Sequence, residues 1–235
     1  PYPVEIRYAD RDPGRDWLPA LVATIRQGLV CHAGDLLVFL PGAGEIERVR
    51  ERLVSLGEQG IEILPLHGAL PKPEQDRVLA GPRDGQRRLV LATDLAETSL
   101  TIPGIGVVVD TGLTRKPRFA PGSGLTSLVT EAIPLASADQ RSGRAGRLGP
   151  GICFRLWTRS QEGGRPVHRT PEILQSDLAP LVLELALWGV RDPSALQWLH
   201  APPRPAWEQG VALLVRLGAL DASGHVTRLG RAMRA

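Results

Sequence analysis

The first half of the chain carries four short runs of Val, Ile and Leu, at residues 36–40, 61–66, 89–92 and 106–110. Each stops at Gly, Pro, His or Asp, which is the pattern of strands buried on both faces of a parallel sheet. Between them, residues 16–31, 45–56 and 73–79 have helical spacing, with Ile46, Val49, Leu53 and Leu56 on one face of the second segment. Strand alternating with helix predicts βαβ units. Residues 110–131 break that rhythm. Gly112, Pro117, Pro121, Gly122 and Gly124 interrupt short apolar stretches there and predict a β-hairpin standing off the sheet. A last strand at 152–156 closes the α/β section.

After a polar link at 159–169 the pattern changes. Residues 172–188 carry Ile173, Leu174, Leu178, Leu181, Val182, Leu185 and Leu187 at the spacing of an amphipathic helix about four turns long, with Gly189 as its terminator. Pro193 is placed to open a second helix that ends before Pro202-Pro203, and a third spans 206–217. Residues 220–226, Leu-Asp-Ala-Ser-Gly-His-Val, read as a small hairpin. The expected organisation is an α/β domain over 1–160, a parallel sheet with helices on both faces and a protruding hairpin, followed by a small, mostly helical domain over 161–235.

Composition narrows the function classes. With 43% hydrophobic and 23% charged residues in 235, the bulk of the chain is a folded globular protein. No apolar run approaches the roughly 20 residues of a membrane span. The net charge of +3 tolerates a polyanion without demanding one. Lys occurs only at Lys72 and Lys116, so 26 of the 28 basic residues are Arg. Cys31 and Cys153 are far apart and in no metal-ligand spacing, which favours a reducing compartment and two buried, inert thiols. The opening Pro-Tyr-Pro-Val, without Met or leader, reads as the start of a segment from a longer polypeptide.

Two segments carry candidate chemistry. In Gln140-Arg141-Ser142-Gly143-Arg144-Ala145-Gly146-Arg147, a helix would project Arg144 and Arg147 from one face, and Gly143 and Gly146 would admit a close ligand or backbone. Guanidinium forks match phosphate oxygens. An arginine meeting a γ-phosphate in the transition state supplies roughly 10³ to 10⁵ in rate, or about 4 to 7 kcal/mol. The plainer alternative is a solvated basic helix. The second segment, residues 92–102, follows a buried strand, where α/β sheets place ligands. Its hydroxyls suit phosphate oxygens or a nucleophilic water, yet Thr93 or Asp94 would equally serve as an ordinary helix cap.

Together with Leu37-Val38-Phe39-Leu40-Pro41-Gly42, these segments resemble motifs IV, V and VI of superfamily-two helicases of the DEAH-box group. Thr93-Asp94-Leu95-Ala96-Glu97-Thr98-Ser99 is similar to the T-N-I-A-E-T-S motif V, and residues 140–147 are similar to the Q-R-x-G-R-A-G-R motif VI. Residues 37–46, 147–151 and 171–178 narrow the likeness to the bacterial HrpB branch, and it covers nearly the whole chain. The resemblance implies a second RecA-like lobe followed by a winged helix, acting in the bacterial cytoplasm on single-stranded RNA or DNA. ATP would lie between this lobe and a first one in the same parent chain, which would supply most of the contacts to ATP and Mg²⁺ and continue into a further C-terminal region. Arg144 and Arg147 would be the arginine fingers, with Gln140 holding the γ-phosphate or attacking water. Ser99 would sense the nucleotide state, and Thr101, Leu79 and Gly143 would line the nucleotide. Thr93, Gly42, Thr114 and Arg115 would meet the nucleic acid, with the hairpin as a strand separator.

The chain departs from the pattern in informative ways. It has no G-x-x-x-x-G-K-[ST] loop and no Asp-Glu-Ala-His box, so it is not expected to hydrolyse ATP alone. Leu79 stands where many relatives carry a base-stacking aromatic, Pro103 where they carry an acid, and Asp94 replaces their common Asn. The third predicted helix of the second domain carries one base, Arg216, and one acid, Glu208, which argues for packing rather than groove reading. The competing function is a non-catalytic RecA-like scaffold that binds RNA or protein. A self-contained hydrolase is disfavoured, because His32, His67, His168, His200 and His225 assemble no triad or metal cluster.

Overall fold

A computed structural model describes residues 2–81, 86–97, 101–120 and 124–233. The chain divides into two compact units: Pro1–Arg115 with Thr130–Arg169, and Lys116–Val129 with Thr170–Ala235.

The first unit is built on strands β1 (Val4–Tyr8), β2 (Asp35–Phe39), β3 (Ile61–Leu66), β4 (Arg87–Ala92) and β5 (Ile105–Asp110). Leu113–Ala120 (β6) and Leu125–Ala132 (β7) follow as a separate two-stranded ribbon, and Gly151–Arg155 forms β8. The main sheet has the order β1-β8-β5-β2-β4-β3, and every neighbouring pair is parallel. All five residues of β2 are buried. Their alternation feeds two cores: Leu36 and Val38 enter one, Leu37 and Phe39 the other. Helices α1 (Leu18–Cys31) and α2 (Ala43–Arg52) contribute Leu21, Ile25, Ile46 and Val49 to the first core, and α3 (Lys72–Leu79) contributes Val78 to the second. The expected RecA-like lobe, a parallel sheet with helices on both faces and a hairpin apart from it, is what the chain forms.

The differences lie at element ends and edges. Strand β1 pairs with β8 although no apolar run announces it: Val-Glu-Ile-Arg-Tyr alternates, and an edge strand needs only one apolar face. Helix α2 stops at Arg52, and a 3-10 segment, Val54–Gln59, carries the chain to Gly60, whose φ of +78° turns it back into β3. Residues Pro121, Gly122 and Ser123 at the hairpin tip lie outside the described residues. Cys153 is buried and its thiol is pushed up, first by desolvation and then by the Asp110 charge; Cys31 is exposed, contrary to expectation.

The second unit contains α6 (Ala179–Leu187), α7 (Arg204–Arg216) and α8 (Arg228–Ala232), with Leu178, Val182, Leu185, Trp207 and Leu214 in its core. The long helix expected at 172–188 is in fact two pieces, a 3-10 turn at Glu172–Leu174 and α6. Asp177 causes the restart: its carboxylate accepts the Ala179 N–H at 2.9 Å, and Pro180 fits the first turn that follows. The helix expected from Pro193 is only a turn, Pro193–Ala195. Asp192 caps it, and the Trp198 indole N–H is tied to the Pro193 carbonyl at 2.7 Å. The wing survives as a bridge between Leu220 and Val226.

Candidate nucleotide and nucleic-acid site

The carboxyl ends of β2, β4 and β5 deliver three short segments to one edge of the sheet. After β4, Thr93 opens a 3-10 turn, Asp94–Ala96. Its N–H donates to the Leu66 carbonyl at 3.1 Å, but neither its hydroxyl nor a capped helix accounts for the segment: the Thr93 side chain makes no cap bond. The Asp94 carboxylate instead accepts from the Thr114 hydroxyl at 2.6 Å and from Arg141 at 2.5 Å.

Arg141, which sequence reasoning passed over, is the hub. It is fully buried on α4 (Leu135–Ser142), and its fork reaches Asp110 at 2.8 Å, Glu97 at 3.1 Å and Asp94. Its guanidinium carbon lies 4.7 Å from the centre of the Phe39 ring. Burial works to lower its pKa, yet the carboxylates of Asp110, Asp94 and Glu97 outweigh burial and hold the group above its ordinary value. Arg169 adds a second cation, bonded to Glu97 and to the Ser137 hydroxyl. Three acids therefore share two arginines, and one buried oxygen of Asp110 has no partner among the described residues. The available signal was Asp110 itself, an acid ending an otherwise apolar strand, which needs a buried partner.

Arg144 and Arg147 follow. The helix expected to carry them ends at Ser142, and Gly143 begins a turn in its place, as the low helix propensity of Gly143 and Gly146 allows. The two side chains still converge on one segment. Arg144 is buried, and its Nε donates to the Glu97 carbonyl at 3.0 Å, with a second bond from the same fork. Desolvation, and next the nearby Arg147 charge, lower its pKa. Arg147 is exposed and donates to the Thr101 hydroxyl at 2.7 Å. Ser99, between those anchor points, lies outside the described residues. Gln140 is exposed on α4, and Leu79 is half-buried at the end of α3. Gly143 is exposed, and a Cβ there would make only ordinary contact, 3.4 Å from the Asp139 carbonyl, whereas at Gly146 a Cβ would sit 2.6 Å from the Tyr2 carbonyl.

Gly42 is buried, and a Cβ there would lie 2.9 Å from both Arg115 and Glu45. Arg115 donates to Glu45 at 2.9 Å and to the Thr130 hydroxyl at 3.3 Å. Thr114, expected to touch nucleic acid, is 1% exposed and gives its hydroxyl to Asp94; its place is inside the lobe. Among the described residues no group of three or more His, Cys, Asp or Glu is arranged to hold a metal ion. Among the described residues no helix is long and apolar enough to cross a membrane.

The family model of the helicase conserved C-terminal domain matches residues 20–149, and that of the helicase-associated winged-helix domain, HA2, matches 210–234. The chain is 43% identical over 220 residues to the ATP-dependent RNA helicase HrpB of Escherichia coli, covering 94% of this chain and 27% of that protein. It is 40% identical to the ATP-dependent RNA helicase HrpA of the same organism, across 98% of this chain and 18% of HrpA. A crystal structure of the Escherichia coli DEAH/RHA helicase HrpB superposes with a TM-score of 0.92 at 42% identity, covering all of this chain and 30% of that one. The chain thus spans less than a third of the length of these relatives.

Proposed function

Since this chain belongs to the family of helicase conserved C-terminal domains, we propose that it is the second motor lobe, with its winged helix, of an ATP-dependent RNA or DNA helicase of the bacterial cytoplasm. The observation that supports this most is that Arg144 bonds Glu97 and Arg147 bonds Thr101, four residues apart in the chain, backed by the buried Arg141 cluster. That packing holds two permanent cations at one edge at little entropic cost.

The residues fit the phosphates of ATP and not its Mg²⁺. Asp94, Glu97 and Asp110 are all engaged with Arg141, so the metal would be held by the other lobe. When the lobes close, Arg147 exchanges the Thr101 hydroxyl for a phosphate oxygen, and charge developing on the γ-phosphoryl group is stabilised. Gln140 orients that phosphate or the attacking water. Leu79 offers the base apolar contact, Thr101 meets the ribose, and Gly143 lets the nucleotide lie close to the backbone. Thr93, Gly42 and Arg115 track a single strand through its backbone, which gives sequence-blind binding. Hydrolysis reopens the cleft and moves the strand.

The test is RNA-stimulated ATP turnover by the polypeptide carrying both lobes. Arg147→Ala should lower kcat by about 10³-fold or more while melting is unchanged, because Arg147 is exposed. Undiminished turnover would replace this reading with the non-catalytic scaffold.

A further inference from the structure

A second fully buried arginine, Arg88, sits near the start of β4, away from that strand's carboxyl end. Arg88 on β4 gives its main-chain N–H to Asp35 Oδ1 at 2.8 Å and its Nε to Asp35 Oδ2 at 2.8 Å. Its two terminal nitrogens diverge. Nη1 donates to the Val78 carbonyl at 2.9 Å, and Nη2 to the Pro103 carbonyl at 2.6 Å. Val78 immediately precedes Leu79, and Pro103 lies two residues beyond Thr101. One rigid fork therefore joins the end of α3 to the loop after β4, the two places assigned to the base and the ribose.

The surroundings are built for this fork. Gly104 takes φ +84°, and a Cβ there would lie 2.8 Å from Asp35 Oδ2 and 3.7 Å from Arg88 Nη2. Just past α3, Gly81 takes φ +95°, and a Cβ there would lie 3.9 Å from the Pro103 ring. The Asp35 N–H closes the arrangement on the Gly104 carbonyl at 3.0 Å.

We propose that Arg88 is a positioning residue for the nucleoside end of ATP, fixing the spacing between Leu79 and Thr101 through the carbonyls of Val78 and Pro103. The inference rests on the nucleotide-binding reading of Leu79 and Thr101. Arg88 touches neither base nor sugar. It sets the width of the slot between them, so its loss weakens nucleotide binding rather than the phosphoryl step. Lysine cannot substitute: a single ammonium can pair with Asp35 but cannot span two divergent carbonyls.

The experiment uses the full-length polypeptide and compares KM for ATP, kcat and thermal melting in Arg88→Lys and in the double variant Arg88→Met with Asp35→Asn. The double variant leaves no unpaired buried charge and so guards against misfolding. Expected in both is a rise in KM of about five-fold or more with kcat within two-fold, and weaker binding of ADP labelled on its ribose in the same ratio; five-fold corresponds to about 1 kcal/mol. A KM within two-fold of the parent in either folded variant overturns the proposal, and so does a fall in kcat with KM unmoved. Arg147→Ala in the same assay separates this inference from the motor reading. Turnover that survives Arg147→Ala sinks the motor itself, whereas turnover lost there with KM unmoved in both Arg88 variants sinks only the positioning role.

Discussion

Arg141, Arg144 and Arg147 recur at intervals of three, yet they meet three environments: carboxylates, a main-chain carbonyl and an exposed hydroxyl. Arg141→Met would leave Asp110 without a cation and Glu97 and Asp94 with only Arg169, and removing one partner of a buried ion pair costs on the order of 3–5 kcal/mol. Urea unfolding should show a free energy of unfolding, the midpoint multiplied by the slope m, lower by that amount, and a loss below about 1 kcal/mol would mean that the cluster relaxes. Thr101→Val should leave stability within about 0.5 kcal/mol, since Thr101 is exposed and gives up a single surface bond to Arg147. The motif made Arg144 and Arg147 legible as candidates, because glycine-spaced arginines after a strand have few other uses. Arg141 was not legible. Its partners sit 31, 44 and 47 residues away, and only the folded sheet brings Asp110, Glu97 and Asp94 to one fork.

At the scale of elements, the buried strands could be read directly, because a strand covered on both faces has no polar face to disguise it. β1 escaped since its Glu5 and Arg7 pair with each other on the outer side. Helical periodicity overran the true start of α6, because Ile173, Leu174 and Leu178 keep the phase while Asp177 interrupts the backbone. Asp177→Ala should therefore cost about 0.5–1.5 kcal/mol, the net worth of the one hydrogen bond it accepts from the first helical residue, measured as a shift in the melting of the helical unit. The wing turn makes a pH prediction. Asp221 accepts the N–H groups of His225 and Ser223, and the His225 backbone bond above all lowers its pKa from 3.8. The folded value lies below the unfolded one, so the contribution is present above the ordinary Asp range and is lost as pH falls through the lowered value. Asp221→Asn should abolish that acid-side slope in a pH series of melting curves.

For the molecule as a whole, a charge of +3 spread over 235 residues provides no strong polyanion field. Of the residues nominated to hold a strand, only Arg115 is charged, and Glu45 holds it from behind. Binding of a single-stranded RNA should thus be only weakly salt-dependent, falling with a slope of about −0.7 in log–log form for each cationic contact. Arg115→Gln should remove about one such unit from the slope, and a steep slope that survives it would place the strand elsewhere.

The amino-terminal backbone is clasped to the turn that carries Arg144 and Arg147. Tyr2 donates to the Gly146 carbonyl at 2.7 Å, the Gly151 N–H donates to the Pro3 carbonyl at 3.1 Å, and there is no room at Gly146 for even a methyl group. A pull on the first few residues accordingly arrives, through one peptide unit, at the root of Arg147, and a nudge from Arg147 travels back along the same leash.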